Sequence, residues 1–524
     1  MTIDMKKYKK FLILPICGFL LFNSCEDFLD VDVKEMRTDQ SFYKTPEDMN
    51  QALNGVYSLM SGVPFYTWYL SDIHSDDIWA SGTDQLPYQT FNGQTTMEHK
   101  YLLNAWTQYF KVVANANKFL SKVGPVSYLS DEAKTQQIAE ARFLRAMAYF
   151  DLVRYWGRVP LSTDLIDVET ALAKKQSEPE EIYKVIEDDL RFAIGNLSDT
   201  PLAFDGSIAG AGHATIQAAK ALLGKVLLTE AGFPLNKTEK LAEAKTLLTE
   251  VLDYSAANGD KWWAKTADEW GKMWLHENDN KYFIFEMQYT NTIEQGNPIT
   301  IYSSPIYYDN SYSRKLGIYM NDRVAAMYRS VDTETGEQKF IDNRGQYILD
   351  PDYTDYIWKW TECDAKRKLS GMGSYKSNIT ANTMYPQNYP MIRLEDVMLM
   401  YAEISGSGDA RAVELVNKIR NRAGRGDLQA SDLDPESFLK AIKTERQLEF
   451  FGEGLRWHDL VRWGEFETTI KDMFQYYIDN TTDETEKASY NVYKNNVVHT
   501  SYLYPIPYNQ MHVIEGLYDQ NDGY

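Results

Sequence analysis

Helical periodicity occurs in two blocks of this chain, 133–257 and 391–464, on either side of a long stretch, 260–390, that lacks it. Any fold must close the two blocks around that interruption. Along 133–156, Ile138, Ala141, Leu144, Ala148, Leu152 and Tyr155 recur at spacings of three and four, marking one apolar face of a helix that Gly157 and Pro160 end. Residues 179–197 open on Pro179 with acids in the first turn and close near Gly195-Asn196. Between 215 and 231, Ala218, Ala219, Ala221 and Gly224 leave room for a close neighbour, and a helix over 239–255 follows. The later block divides into 391–404, 408–423, 435–452 and 454–464. Helix pairs with small residues at the crossing follow the tetratricopeptide pattern, although periodicity alone sets no fixed repeat length here.

Two irregular stretches, 61–97 and 260–390, are rich in aromatic residues, which make up 14% of the chain with 37 Tyr and 12 Trp. An aromatic excess of this size favours ligands that stack on flat faces. One strand or hairpin is predicted over Tyr282–Tyr289, and the rest reads as loop, the part of a helical scaffold where function concentrates. The run Gly206-Ser-Ile-Ala-Gly210-Ala-Gly212 is no phosphate cradle, because no Lys-Ser/Thr follows it and no strand precedes it.

Charge and cysteine content exclude other classes. With 54 Lys and Arg against 75 Asp and Glu, the net charge of −21 repels phosphate backbones, so nucleic acid is a poor partner. Three Cys in 524 residues make no disulfide scaffold, and the length alone allows two or three domains. Lys6, Lys7, Lys9 and Lys10 precede an apolar run, Phe11 to Phe22, that is too short to cross a bilayer but suits a secretory leader. Asn23-Ser24-Cys25 closes that run, with Glu26-Asp27 after it. This is the form of a lipoprotein cleavage site, so residues 1–24 are predicted to be a signal peptide and Cys25 the lipidated N-terminus. Phe22 stands where Leu is usual, and Cys17 competes poorly because Ile16 before it is large. Cys363 is then the one unmodified thiol, read as structural. The expected protein is anchored to a membrane by acyl chains and does not cross it.

Enzyme motifs are absent from the pattern. The seven His, at 74, 99, 213, 276, 458, 499 and 512, have no paired metal spacing, and no Gly-x-Ser-x-Gly elbow occurs. Asp72, Asp76 and Asp77 are too close in sequence to flank a glycosidic bond by themselves and read as a solvated loop. A structural Ca²⁺ on such acids has no twelve-residue calcium loop behind it. No catalytic residue, metal or cofactor is therefore expected.

A set of blocks carries a resemblance. Cys25-Glu-Asp-Phe-Leu-Asp30 opens the series, with Phe42-Tyr43 and Leu53-Asn-Gly-Val-Tyr57 after it. Glu140-Ala-Arg-Phe-Leu-Arg-Ala-Met-Ala-Tyr-Phe-Asp-Leu-Val-Arg-Tyr-Trp-Gly157 and Ala218-Ala-Lys-Ala-Leu-Leu-Gly-Lys-Val-Leu-Leu228 follow. The later blocks are Ile392-Arg-Leu-Glu-Asp-Val-Met-Leu-Met-Tyr-Ala-Glu403, Val416-Asn-Lys-Ile-Arg-Asn-Arg-Ala-Gly424 and Glu445-Arg-Gln-Leu-Glu-Phe450 with Gly454-Leu-Arg-Trp-His-Asp-Leu-Val-Arg-Trp463. Pro505-Ile-Pro507 and Gln520-Asn-Asp-Gly-Tyr524 end the series. In this order they resemble the SusD/RagB family of Bacteroidetes lipoproteins across the whole mature chain.

The resemblance implies a mostly α fold over 25–524, a single SusD-like domain with four tetratricopeptide-like helix pairs packed against an irregular, loop-rich region with few short strands. The scaffold would occupy 40–60, 98–257 and 391–464, and the ligand region 61–97 and 260–390. It also implies a non-catalytic glycan-binding lipoprotein on the outer face of the outer membrane, working with a SusC-like TonB-dependent transporter. A peptide cargo on the same fold is the alternative. Arg142, Arg145, Arg154, Arg446 and Arg456 read as ion-pair partners between packed helices, not as an anion site. A sugar needs exposed rings for its C–H faces and polar groups for its rim hydroxyls. The predicted platform takes Trp68, Trp79 and Tyr88 with Asp76 and Asn92 from the first loop, facing Trp274, Tyr289, Tyr307 and Tyr308 from the second.

Overall fold

The computed structural model describes residues 41–80, 82–274, 281–290, 296–299, 318–332, 334–336, 338–349, 357, 359–360 and 386–524. Cys25, Tyr307, Tyr308 and Cys363 lie outside the described residues. The described chain is mostly helical, with a few two-stranded pairings. The longer helices are α1 (Pro46–Met60), α2 (Val63–Ser71), α3 (Lys100–Val123), α4 (Asp131–Trp156), α5 (Pro179–Asn196), α6 (Ile216–Ala231) and α7 (Leu241–Ala257). After the interruption come α8 (Leu394–Ser405), α9 (Ala410–Arg422), α10 (Pro435–Glu449), α11 (Arg456–Arg462), α12 (Phe466–Asn480) and α13 (Glu484–Asn496).

Local chemistry sets the helix ends. Thr45 and Asp48 form a reciprocal capping box before α1, with Pro46 in the first turn. Ser130 Oγ accepts the Ala133 N–H at the start of α4, and Gly157 at φ +66° ends it. Helices then pack in succession: α3 on α4, α4 on α5, α5 on α6, α6 on α7, α7 on α8 and α8 on α9. The small residues of α6 do what their size suggests: a Cβ on Gly224 would lie 2.8 Å from Leu248 Cδ2 of α7. This succession carries one continuous apolar core from Met49 in α1 to Ile442 in α10. A smaller core, including Phe91, Trp457, Phe466 and Phe474, lies under α12.

Two expectations need correction. The first irregular stretch is partly helical, since Val63–Ser71 forms α2 with nearly every residue buried. Helix also continues past 464, through α12 and α13, whose apolar positions cover the smaller core. The strand expected near 282–289 is present as Phe283–Met287, paired antiparallel with Tyr389–Arg393. That pairing ties the interruption to the start of the second helical block.

Buried charge closes the two blocks around the interruption. Glu449 at the end of α10 is fully buried and accepts from Arg344 Nη1 at 2.7 Å, Arg393 Nη1 at 2.9 Å, Arg422 Nη2 at 2.7 Å and Trp270 Nε1 at 2.7 Å. Burial opposes its charge, but Arg422, Arg393 and Arg344 reverse that and hold the carboxyl well below the usual carboxylate range. In the first block, Arg145 of α4 donates to both oxygens of Asp189 on α5 at 2.8 Å and to Asn117 of α3 at 2.7 Å. Arg446 pairs with Asp459 and Asp396, Arg154 with Asp151, and Arg142 lies 3.9 Å from Asp189. These arginines are thus ion-pair partners, most of them linking separate elements.

Glu449→Ala would leave three guanidinium groups buried without their common partner. A loss of about 3–5 kcal/mol is expected from denaturant unfolding. Glu449→Gln, with nearly the same volume, should lose a comparable amount if charge rather than packing sets the cost.

Candidate functional site

The strand Ile78–Ala80 pairs antiparallel with Ile318–Met320, in the register Ile78↔Met320, Trp79↔Tyr319 and Ala80↔Ile318. Ile78, Ala80, Ile318 and Met320 are buried, while Trp79 and Tyr319 are half-buried on the opposite face. Residues directly across an antiparallel pair share a face, so this pairing sets a first-loop Trp beside a second-loop Tyr. The Trp79 ring centroid lies 4.7 Å from that of Tyr477 on α12 and 5.7 Å from that of Tyr490 on α13. Tyr476 beside them is 37% exposed, with the Arg323 guanidinium 5.8 Å from its ring centre. Five aromatic side chains from four elements therefore make one partly exposed patch outside the succession of packed helices. The rings are tilted or edge-on to one another, and such an aromatic patch with a guanidinium at its rim can stack single ring faces on apolar faces and donate hydrogen bonds to hydroxyls.

Of the described residues proposed from sequence, Trp79 alone takes a place in this patch. Trp68, Tyr88 and Trp274 are fully buried and present no face to a ligand. The Trp274 ring is covered instead by the buried ammonium of Lys359, 4.0 Å from its centre. Tyr88 lies edge-on to Tyr69 at 5.1 Å. Tyr289 is buried, and its hydroxyl donates to the Ser61 carbonyl at 2.6 Å. Asn92 is exposed, but its Oδ1 caps the short helix Gly93–Glu98 by accepting from Thr95 N–H. Sequence reasoning missed Tyr476, Tyr477 and Tyr490, having ended the helical pattern at 464. The signal was present as Phe474 with Tyr477, and Tyr490 with Tyr493, each three apart.

Behind Trp79 the chain is clamped, not solvated. Asp76 receives Arg456 Nε at 2.8 Å and Nη2 at 3.0 Å, which locks the carboxylate assigned above to ligand binding. Burial raises its pKa, but the Arg456 charge and hydrogen bonds outweigh that and lower it. Gln447 Nε2 donates to Asp77 Oδ1 at 2.9 Å, and Asp72 accepts from Gly454 N–H at 2.9 Å. The Asp77 carbonyl accepts from Asn321 N–H at 2.9 Å, which extends the contact between the two strands by one bond. Among the described residues, no group of three or more His, Cys, Asp and Glu side chains is arranged to hold a metal ion.

Burial and the neighbouring Asp76 charge push the Asp77 carboxyl up to about 7. A carboxyl raised on folding contributes stability that is complete below its unfolded pKa and is lost as pH rises through 7. Asp77→Asn should therefore melt above the parent protein at pH 8, the two curves converging near pH 4. Equal melting temperatures at pH 8 would refute this.

The chain was compared with known proteins. The model described as "SusD family" matches residues 251–524, and one described as "Starch-binding associating with outer membrane" matches 27–228. A SusD-like protein of Bacteroides ovatus is 27% identical, over 92% of this chain and 86% of its own. SusD-like protein P25 of Formosa agariphila is 24% identical, over 88% of this chain and 92% of its own. The fold matches a SusD homolog from Bacteroides thetaiotaomicron with a TM-score of 0.72 at 22% identity, covering 93% of this chain and 99% of that one. It matches a laminarin-binding SusD-like protein with a TM-score of 0.66 at 23% identity, covering 92% of this chain and 100% of that one. Surface glycan-binding protein A from Bacteroides fluxus aligns with a TM-score of 0.67 at 23% identity, with the same coverages. Matched by the family model over more than half its length, the chain belongs to the SusD family.

Proposed function

We propose that this protein is a cell-surface lipoprotein that binds glycan without cleaving it and delivers it to a TonB-dependent outer-membrane transporter. The patch of Trp79, Tyr319, Tyr476, Tyr477 and Tyr490 carries the reading, being a place where rings from separate elements converge while remaining partly open. The protein's relatives point the same way: one is a laminarin-binding SusD-like protein, another a surface glycan-binding protein, and one matching family is described as starch-binding and associating with the outer membrane. A non-catalytic role fits the carboxylates nearest Trp79 in sequence, because Asp76 and Asp77 are engaged by Arg456 and Gln447. Among the described residues no helix is long and apolar enough to cross a membrane. Attachment through Cys25 rests on the lipoprotein-type site at Asn23-Ser24-Cys25.

Trp79→Ala should weaken glycan binding about two- to tenfold in affinity electrophoresis, since stacking contributes about 0.5–1.5 kcal/mol per ring. Its stability loss should stay below the about 3–5 kcal/mol expected for Trp68→Ala in the core. Unchanged affinity for every glycan in a broad panel, or preferential retention of a peptide pool, would overturn the reading. Cys25→Ser should move the protein from the membrane fraction to the soluble fraction of cells. Persistent membrane attachment with incorporation of labelled fatty acid would assign the anchor to another residue.

A further inference from the structure

A cavity of about 590 Å³ opens between the end of α1, the 211–213 turn and the end of the strand Phe283–Met287 with the residues that follow it. It shares no lining residue with the Trp79 patch. Its inner wall is built around His213. The imidazole Nδ1 donates to Glu140 Oε2 at 2.7 Å, and the ring lies edge-on to Tyr57 at 5.3 Å. Glu140 is fully buried in α4 and also accepts from the Tyr57 hydroxyl at 2.6 Å and from Gln136 Nε2 at 3.2 Å. Tyr57 Oη in turn accepts the Ala214 N–H at 3.0 Å, so His213 is held through both its side chain and the backbone that follows it. Gly212, at φ +91°, lets the turn pass close to Gln288: a Cβ there would lie 3.1 Å from the amide carbon. With Nδ1 committed to Glu140, Nε2 is the ring atom left for a ligand, and the side chain is 21% exposed.

The remaining wall sets the ligand class. Asn54, Ser58 and Gln288 present amides and a hydroxyl at the rim, and the buried Glu286 stands within the wall, accepting from Asn388 Nδ2 at 3.2 Å. No Lys or Arg lines the cavity, and two carboxylates stand in or behind its wall, with His213 paired to one of them, which disfavours an anion. An imidazole held by a carboxylate beside amides and hydroxyls offers donors and acceptors at several points, which suits a molecule carrying many hydroxyls. We propose that this cavity is a second binding site, separate from the aromatic patch, for a neutral mono- or disaccharide whose hydroxyls bond His213 Nε2 and the Asn54, Ser58 and Gln288 side chains. The proposal does not depend on the Trp79 patch binding glycan.

The test follows the His213 ring resonances of the whole protein by NMR while glucose, galactose, mannose or cellobiose is added to concentrations on the order of 10 mM, the range of weak sites. At least one of these sugars should shift them saturably, and Trp79→Ala should leave that titration unchanged. Ser58→Trp and Gln288→Trp, two exposed lining positions on different elements, should each weaken it at least about tenfold by filling the space, with melting temperature confirming the fold. No shift with any neutral sugar, a shift that survives both plugs, or one lost in Trp79→Ala would overturn the proposal. So would a response confined to charged probes such as glucuronate or glucosamine. If the patch proves not to bind glycan, the His213 titration still decides this site by itself.

Discussion

The buried carboxylate of Glu449 is the interaction on which the rest of the structure depends. It gathers Arg344 and Trp270 from the interruption, Arg393 from the strand that re-enters the scaffold, and Arg422 from α9. A long irregular insertion loses much conformational entropy on folding and offers little periodic apolar surface in return. A shared ion network answers that with direction: each guanidinium has a fixed planar fork, so its bonds fix where the insertion enters and leaves. Replacing such a network by apolar side chains can leave stability unchanged in other proteins. Its effect here is therefore best understood as positional. The network sits under Trp274, Trp360 and Tyr389, which is why these rings belong to the core.

Position also decides the candidate site. Ile78–Ala80 and Ile318–Met320 are only three residues each, too short to be stable alone. Their pairing persists because the residues before Trp79 are fixed from behind by Arg456, Gln447 and Gly454, all from the late block. The anchoring residues and the patch residues are different side chains. Rings on the open face can thus change without disturbing the anchor, as loops carried on a rigid scaffold can.

Much of the scaffold was legible because amphipathic helices write their burial into the sequence at a fixed period. The helix expected over 179–197 is Pro179–Asn196, and the one over 215–231 is Ile216–Ala231. The site was far less legible. Trp68 and Trp79 lie eleven residues apart in one aromatic, polar stretch, yet the first is fully buried in α2 and the second is half-open. Nothing local separates them, since exposure there depends on which distant strand pairs with which residue and on what α2 packs against. The acids misled for the same reason. Asp76 and Asp77 read as solvated because their partners, Arg456 and Gln447, lie some 370 residues away.

The chemistry of the patch also bears on how tightly such a protein can hold its ligand. Rings contribute about 0.5–1.5 kcal/mol each in stacking, and hydroxyls exchange water for protein at small net gain. A few rings with one guanidinium therefore support affinities in the micromolar to millimolar range for a single short segment, on the order of −4 to −8 kcal/mol. Weakness of this kind suits the proposed function, in which the protein must release what it captures. A polymer with many equivalent segments can rebind before it diffuses away, so retention on the surface need not require tight contact at one site. A second site apart from the patch would strengthen that retention by engaging a chain at two points, provided the chain can span them. The open, half-buried geometry of Trp79 fits that balance better than a closed pocket, which would hold a chain end and admit no long polymer running past.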